Sequence, residues 1–178
     1  MDSEYITAYV GIGSNLGDRA GNLLLAVRGL MEASFRVTKL SGIYETEPVG
    51  ISGGGNFLNM VAEIRANGIS PSQMMARMLR IEYLLGRADK SLKKPRTIDL
   101  DLLFYGREIV ATEFLTVPHP RLHLRNFVLV PLAEIAPHFS HPLLRSDVKT
   151  LLQNSADTST VSRWNPGQHT APAETSSV

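Results

Sequence analysis

No cysteine occurs at any of the 178 positions. Disulfides, thiolate nucleophiles and cysteine–zinc sites are therefore excluded. A large charge excess is missing too. With 18 Lys and Arg against 17 Asp and Glu, the formal net charge is +1. That argues against a duplex nucleic-acid binder, whose contact face is strongly basic. No apolar run is long enough to cross a bilayer. The opening Met-Asp-Ser-Glu lacks the basic-then-apolar pattern of a secretory leader, so a cytoplasmic protein with no membrane partner is expected. Both familiar phosphate loops are also lacking. After Gly11 and Gly13, Leu16 stands where a dinucleotide fingerprint needs its third Gly, and Gly17-Asp18-Arg19 is not the Gly-Lys-Ser/Thr ending of a P-loop. These glycines read better as a tight strand-to-helix turn in which Gly supplies positive φ.

What is present is an ordinary globular composition, 43% hydrophobic and 20% charged, in a chain long enough for one core and hardly for two. The most informative stretch is Lys94-Pro-Arg-Thr-Ile-Asp-Leu-Asp-Leu-Leu-Phe-Tyr105. Period-two alternation puts Ile98, Leu100, Leu102 and Phe104 on one face of a strand. Thr97, Asp99, Asp101, Leu103 and Tyr105 fall on the other. The two aspartates then point the same way, roughly 7 Å apart at the backbone. A solvated edge strand would show the same pattern. A hard divalent cation would offset the repulsion and lost hydration, and Mg²⁺ suits a site with few carboxylates and room for phosphate oxygens. Residues 87–96 lead into this strand and carry five basic residues against one acid. A basic run alone is usually a solvated loop. Beside paired carboxylates it makes a polyphosphate site.

The remaining elements follow from pattern and punctuation. Tyr5–Ile12 reads as a strand, and Asp18 caps a helix to about Ala33 whose apolar face is Leu23, Val27, Leu30 and Met31. Val37 to about Thr46 is a second strand, followed by a glycine-rich loop over Glu45–Asn56. Phe57–Ala66 is the clearest strand, with Phe57 and Asn59 sharing a face. An aromatic and an amide so placed could hold a flat heterocycle, although a core Phe and a strand-end Asn would look the same. Ser70-Pro-Ser-Gln73 opens a helix with a capping box and an Ile69–Met74 staple. Glu82 lies off its apolar stripe near the helix end. Tyr105-Gly-Arg107 is a hairpin turn leading to a short strand at Glu108–Val110. The loop Thr116–Arg125 holds His119, His123, Arg121 and Arg125, but prolines and the lack of a following Glu rule out the helical zinc-protease motif. Asn126 to about Ile135 is a last helix in which Pro131 is tolerable only near the first turn. From Asn154, nine of 25 residues are Ser or Thr, so residues 154–178 are expected to be a disordered tail after a catalytic domain of residues 1–153. The order β-α-β-β-α-β, plus a hairpin strand and a C-terminal helix, predicts an α+β, ferredoxin-like antiparallel sheet.

At this point the residues resemble a known family. Gly13-Ser-Asn-Leu-Gly-Asp18, Tyr44-Glu-Thr-Glu-Pro48, Phe57-Leu-Asn59, Arg80-Ile-Glu82, Pro95-Arg-Thr-Ile-Asp-Leu-Asp-Leu-Leu103, Val117-Pro-His-Pro120 and Pro131-Leu-Ala-Glu-Ile-Ala-Pro137 together look like 6-hydroxymethyl-7,8-dihydropterin pyrophosphokinases of folate biosynthesis. The resemblance spans about residues 5–150. It implies pyrophosphoryl transfer from ATP to the pterin hydroxymethyl group, with release of AMP. It further implies two Mg²⁺ ions on Asp99 and Asp101. By the same resemblance ATP lies against Glu82, Arg87, Lys90, Arg96, Ile98, Thr116, His119 and Arg125. The pterin lies against Thr46, Pro48, Val49, Phe57, Asn59 and Phe127. Arg87 and Arg96 become the candidates for stabilising developing charge, and a monomer with small-molecule substrates is expected. Phe57 stands where the family often has Tyr, and Leu79 where Gln is common. Two rivals remain at this level. One is a non-catalytic ferredoxin-like binding module, although an RNA-binding sheet would carry aromatics where these aspartates sit. The other is a different Mg-dependent nucleotidyl or phosphoryl transferase.

Overall fold

The computed structural model describes residues 5–48, 55–87 and 94–168. Its centre is a six-stranded antiparallel sheet of β1 (Ile6–Ser14), β2 (Arg36–Leu40), β3 (Tyr44–Thr46), β4 (Phe57–Ala66), β5 (Asp99–Tyr105) and β8 (Val161–Arg163), ordered β5-β1-β4-β3-β8, with β2 also paired to β4. The long strands are β1 (Ile6–Ser14), β4 (Phe57–Ala66) and β5 (Asp99–Tyr105). β1 lies between β4 and β5, so Gly13 is opposite both Asn59 and Asp99, and Gly11 is opposite both Val61 and Asp101. These pairs set the floor of the site described below.

The single strand expected over Val37–Thr46 is two, β2 (Arg36–Leu40) and β3 (Tyr44–Thr46), both on the same edge of β4. Ser41 causes the break. Its hydroxyl accepts the Val61 N–H at 2.9 Å while its own N–H donates to the Val61 carbonyl at 2.9 Å, so a side chain replaces backbone in the ladder.

Two helices cover one face. Helix α1 (Arg19–Glu32) starts at Asp18, whose carboxylate accepts the Gly21 N–H at 3.0 Å. Helix α2 (Pro71–Leu84) has the expected reciprocal Ser70–Gln73 capping box. The helices touch where Gly29 meets Ile81. A Cβ at residue 29 would lie 2.9 Å from Ile81 Cγ2, so only glycine permits this approach. Leu23, Leu30, Met74, Met78, Met60, Ile64 and Leu100 pack beneath them. Met31, expected on the buried face, is exposed. Glu82, expected off the stripe, is on the buried side of α2.

The opposite face is covered by α3 (Asn126–Ile135) and α4 (Val148–Gln153), over Tyr9, Val61, Leu103 and Phe104. The sequence pattern did not predict α4, a six-residue helix capped by Asp147, which accepts the Thr150 N–H at 2.8 Å. Pro131 lies mid-helix in α3, contrary to expectation. Strict alternation also fails in β5. The register shifts between Tyr9 and Val10, putting Phe104 with Leu103 on the α3 side and turning Tyr105 to the α1–α2 side, where its hydroxyl donates to the Ile69 carbonyl. Such a bulge re-aims side chains at the end of a strand. After the Gly106 turn, the next strand, β6 (Val110–Ala111), does not extend the main sheet. It pairs with β7 (Thr116–Val117) in a separate ribbon.

The chain beyond Asn154 corrects the expected disordered tail as far as residue 168. Strand β8 (Val161–Arg163) pairs with β3, and Trp164 packs on the core while its N–H donates to the Ile43 carbonyl at 2.9 Å. Ser/Thr-rich composition hides a strand only three residues long, whose stability comes from a ready-made sheet edge and one aromatic anchor. Residues 169–178 of that expected tail lie outside the described residues. Among the described residues, no helix is long and apolar enough to cross a membrane.

Candidate active site

A cleft of about 290 Å³ opens on the α3 side of the sheet. Its floor is Gly11 and Gly13, which have no side chains to fill it. The expected positive-φ role belongs to Gly17 (φ 68°); Gly11 and Gly13 are strand residues that leave space. At residue 13 that space is fully used, since a Cβ there would lie 3.0 Å from Asn59 Oδ1.

One end of the cleft is acidic and basic. Asp99 and Asp101 line it, with Arg96, Arg121 and Arg125. The alternation of β5 before its bulge makes both aspartates face this way. Among the described residues, the Asp99 carboxylate is gripped by Arg87, whose Nη1 contacts Oδ1, and by Arg96, whose Nη2 contacts Oδ2 at 2.8 Å. Arg87 is itself buried. The same Nη1 donates to Glu82 Oε1 at 3.2 Å and to the Ile98 carbonyl at 3.3 Å. Glu82 also accepts the Leu100 N–H at 2.6 Å. Its carboxylate thus ties α2 to β5 and fixes the arginine beneath the cleft. Arg96 is aimed by Asn15, whose Oδ1 accepts the Arg96 N–H at 2.8 Å and whose N–H donates back to the Arg96 carbonyl at 3.2 Å. Burial, and then the charge of Arg121, hold the Arg125 guanidinium below the usual arginine value, yet Asp101 and Asp99 oppose that shift.

The other end is flat and apolar with an amide edge. Phe57, Asn59, Thr46 and Phe127 line it. Asn59 Nδ2 donates to Thr46 Oγ1 at 2.9 Å, which fixes the amide across the β3–β4 pair. An arginine lies over each ring: Arg96 is 5.4 Å from the Phe57 centroid, and Arg125 is 5.5 Å from that of Phe127. The cation-rich end and the aromatic end therefore meet through these two side chains.

Several expected residues are placed elsewhere. The Ile98 side chain is fully buried in the α1–α2 core, so only its carbonyl is near the site. Glu82, Thr116, His119 and Pro48 do not line the cleft. His119 is instead tied to two residues that do line it, its N–H donating to the Leu103 carbonyl at 2.9 Å and its Nδ1 accepting the Arg121 N–H at 3.2 Å. Lys90 and Val49 lie outside the described residues, as do the rest of residues 49–54 in the glycine-rich loop and of residues 88–93 in the basic run. Cleft residues that the pattern reading missed include Gly11, Gly13, Leu124 and Asp157. Gly alternation along β1, matched to the Asp alternation along β5, was the available signal for the first two.

The family model for 7,8-dihydro-6-hydroxymethylpterin-pyrophosphokinase matches residues 9–137. The chain belongs to this family. A 2-amino-4-hydroxy-6-hydroxymethyldihydropteridine pyrophosphokinase of Bacillus subtilis is 48% identical over 129 residues, covering 72% of this chain and 77% of its own. One from Aquifex aeolicus is 38% identical over 143 residues, covering 80% and 88%. Among solved structures, a Plasmodium falciparum HPPK-DHPS has a TM-score of 0.69 at 15% identity; the match covers 85% of this chain and 46% of that one, and supports the fold alone. The family model's match includes every cleft residue named above except Asp157, and stops before α4.

Proposed function

We propose that the cleft binds ATP at its charged end and 6-hydroxymethyl-7,8-dihydropterin at its aromatic end, and transfers the terminal pyrophosphoryl group of ATP to the pterin hydroxymethyl oxygen in folate synthesis. The observation that carries this reading is the juxtaposition itself. Asp99, Asp101 and Arg96 share one 290 Å³ cleft with Phe57, Asn59 and Phe127. A polyphosphate needs the first set and a flat heterocycle with polar edges needs the second. The sheet order, with β1 between β4 and β5 and β2 beside β4, supports reading the fold as ferredoxin-like.

Two carboxylates on one strand face are a donor set that fits Mg²⁺, which binds hard oxygens and leaves most positions to water and phosphate. Among the described residues no group of three or more His, Cys, Asp or Glu converges, as a zinc site would require. Asp99 and Asp101 would hold the metal, which when bound neutralises phosphate charge and polarises the transferring group. The protein's own part is orientation and charge. Phe57 and Phe127 flank the heterocycle, and Asn59, locked by Thr46, presents its amide oxygen to the ring edge. Arg96 spans both ends, placing a cation beside the transferring group. The hydroxymethyl oxygen bonds to the β-phosphorus, the bond from that phosphorus to the α–β bridging oxygen breaks, and AMP leaves with the electron pair. The hydroxyl proton departs to solvent or a phosphate oxygen.

Chromatography of nucleotides after incubation with ATP, Mg²⁺ and the dihydropterin tests this. Pterin-dependent AMP, lost in Asp99→Ala and Asp101→Ala, is the expected result. ADP in place of AMP, or equal AMP without pterin, would overturn it.

A further inference from the structure

The C-terminal segment reaches the aromatic end of the cleft, and it does so outside the region matched by the family model. Asp157 lines the cleft together with Thr46, Phe57, Asn59 and Phe127. Its Oδ2 accepts the Asn126 N–H at 2.7 Å, and its carbonyl accepts the Asn126 side-chain N–H at 2.7 Å. Asn126 is the first residue of α3, and the Arg125 side chain makes no cap hydrogen bond there. Helix N-termini leave backbone N–H groups without intrahelical partners, so Asp157 supplies from a remote segment the cap that local sequence does not. Its other oxygen accepts the Ser159 N–H at 2.9 Å, which bends the chain toward β8.

The far side of the same segment grips the opposite wall. β8 pairs Val161 with Thr46 and Arg163 with Tyr44. Arg163 covers the Tyr44 ring at 5.9 Å and lies so close to Gly42 that a Cβ there would be 2.8 Å from the guanidinium. Trp164 then anchors the segment on the core. One short segment thus braces β3, which carries Thr46, and the start of α3, which carries Phe127.

We propose that Asp157 is a positioning residue for the heterocycle: it clamps Asn126 so that Phe127 faces Phe57 and Asn59 across a pre-formed slot, and this selects flat bicyclic ligands without acting on the nucleotide. The inference rests on the functional reading above. Asp157 is assigned to this wall because it caps α3 at Asn126, from which the helix runs on into Phe127, whereas Arg125 precedes the helix and the Asp99–Arg96 pair of the charged end is braced separately by Arg87 and Asn15.

The test uses the full chain with Asp157→Ala and Asp157→Asn. Trp164 is the only tryptophan, so its emission reports whether the segment stays docked. Hydrogen exchange over residues 126–129 reports the clamp directly. In Asp157→Ala the KM for the dihydropterin is expected to rise roughly tenfold, the loss of one charge-assisted hydrogen bond. The KM for ATP should stay within about twofold, Trp164 emission should be unchanged, and exchange at 126–129 should quicken. Asp157→Asn, which keeps one acceptor oxygen, should recover part of the effect. Both KM values moving together, or exchange at 126–129 unchanged, overturns the proposal. If the wild type makes no pterin-dependent AMP, the functional reading fails on its own. Exchange and dihydropterin binding by equilibrium dialysis then decide the clamp: binding weakened by Asp157→Ala upholds it, and equal binding overturns it.

Discussion

Arg87 and Asp99 form an ion pair whose cation side chain is 5% exposed and whose anion is 17% exposed. The exposure gradient separates their roles. Arg87 is fixed below the floor by Glu82 and the Ile98 carbonyl, and Asp99 presents its remaining surface to the cleft. Asp99→Ala should lower turnover by more than about a hundredfold, the scale seen when a preorganised charge is removed from a reaction centre. Stability should fall by only about 1–2 kcal/mol, less than the ~3–5 kcal/mol of a stranded buried charge, because Arg87 keeps two partners. Urea unfolding and AMP formation on the same samples check this. A stability loss large enough to unfold the variant under assay conditions would remove the argument for a direct role.

Thr46→Val is a test of the amide lock. The substitution keeps shape and removes the acceptor for Asn59 Nδ2, and both residues are buried. Leaving a buried donor unpaired costs about 1–3 kcal/mol. The freed amide can also rotate, so the dihydropterin KM should rise several-fold while that for ATP holds. An unchanged pterin KM would mean that Asn59 is oriented by something other than Thr46.

Sequence pattern carried much of this site, and the limits were physical. β4 and α3 begin and end where alternation and helix periodicity put them, because long amphipathic elements bury one face and their side chains say which. Asp99 and Asp101 were placed on one face by period two alone. The same rule failed at Phe104, since a bulge is one extra residue with no composition of its own. It failed again at Ser41, where a hydroxyl stands in for a backbone group. Glu82 is buried against the helical pattern because its partners lie beyond α2: Arg87 follows the helix end and the Leu100 N–H belongs to β5, and a carboxylate with such partners can be buried. β8 was illegible for the opposite reason: three residues carry too little pattern, and the edge of β3 decides the matter. The roles of the heterocycle residues came from family resemblance, not periodicity.

Gly13 and Gly11 offer a paired test of the floor. A Cβ at residue 13 would sit 3.0 Å from Asn59 Oδ1, whereas one at residue 11 would make ordinary contacts with Leu103 from 3.5 Å. Neither has positive φ, so backbone strain does not enter. Gly13→Ala should therefore displace the Asn59 amide and raise the dihydropterin KM several-fold, and Gly11→Ala should bind the pterin more nearly as wild type. Both should unfold within about 1 kcal/mol of wild type, since alanine in a strand restricts the unfolded chain. Equal effects on pterin KM would show that floor space in general, and not the Asn59 contact, is what matters.

His141 gives the fold a pH dependence away from the cleft. It is buried against Phe104, and its Nδ1 accepts the N–H groups of Leu143 and Leu144, each at 3.2 Å. Burial, and next the charge of His123 nearby, push its pKa below the ordinary imidazole value. In the unfolded chain the group takes up a proton near pH 6.5. The folded protein does not until the pH is lower, so between those values the unfolded state binds more protons and stability falls as pH falls. Below the folded pKa the loss is complete and no longer grows. His141→Asn keeps an acceptor oxygen for the two N–H groups and cannot titrate. Its stability should fall less steeply than that of the wild type as pH drops below about 6.5. Urea midpoints for both proteins at several pH values check this, because the carboxylate contributions common to both cancel in the difference. A wild-type-minus-variant difference that stays constant with pH would show that His141 is not the titrating group.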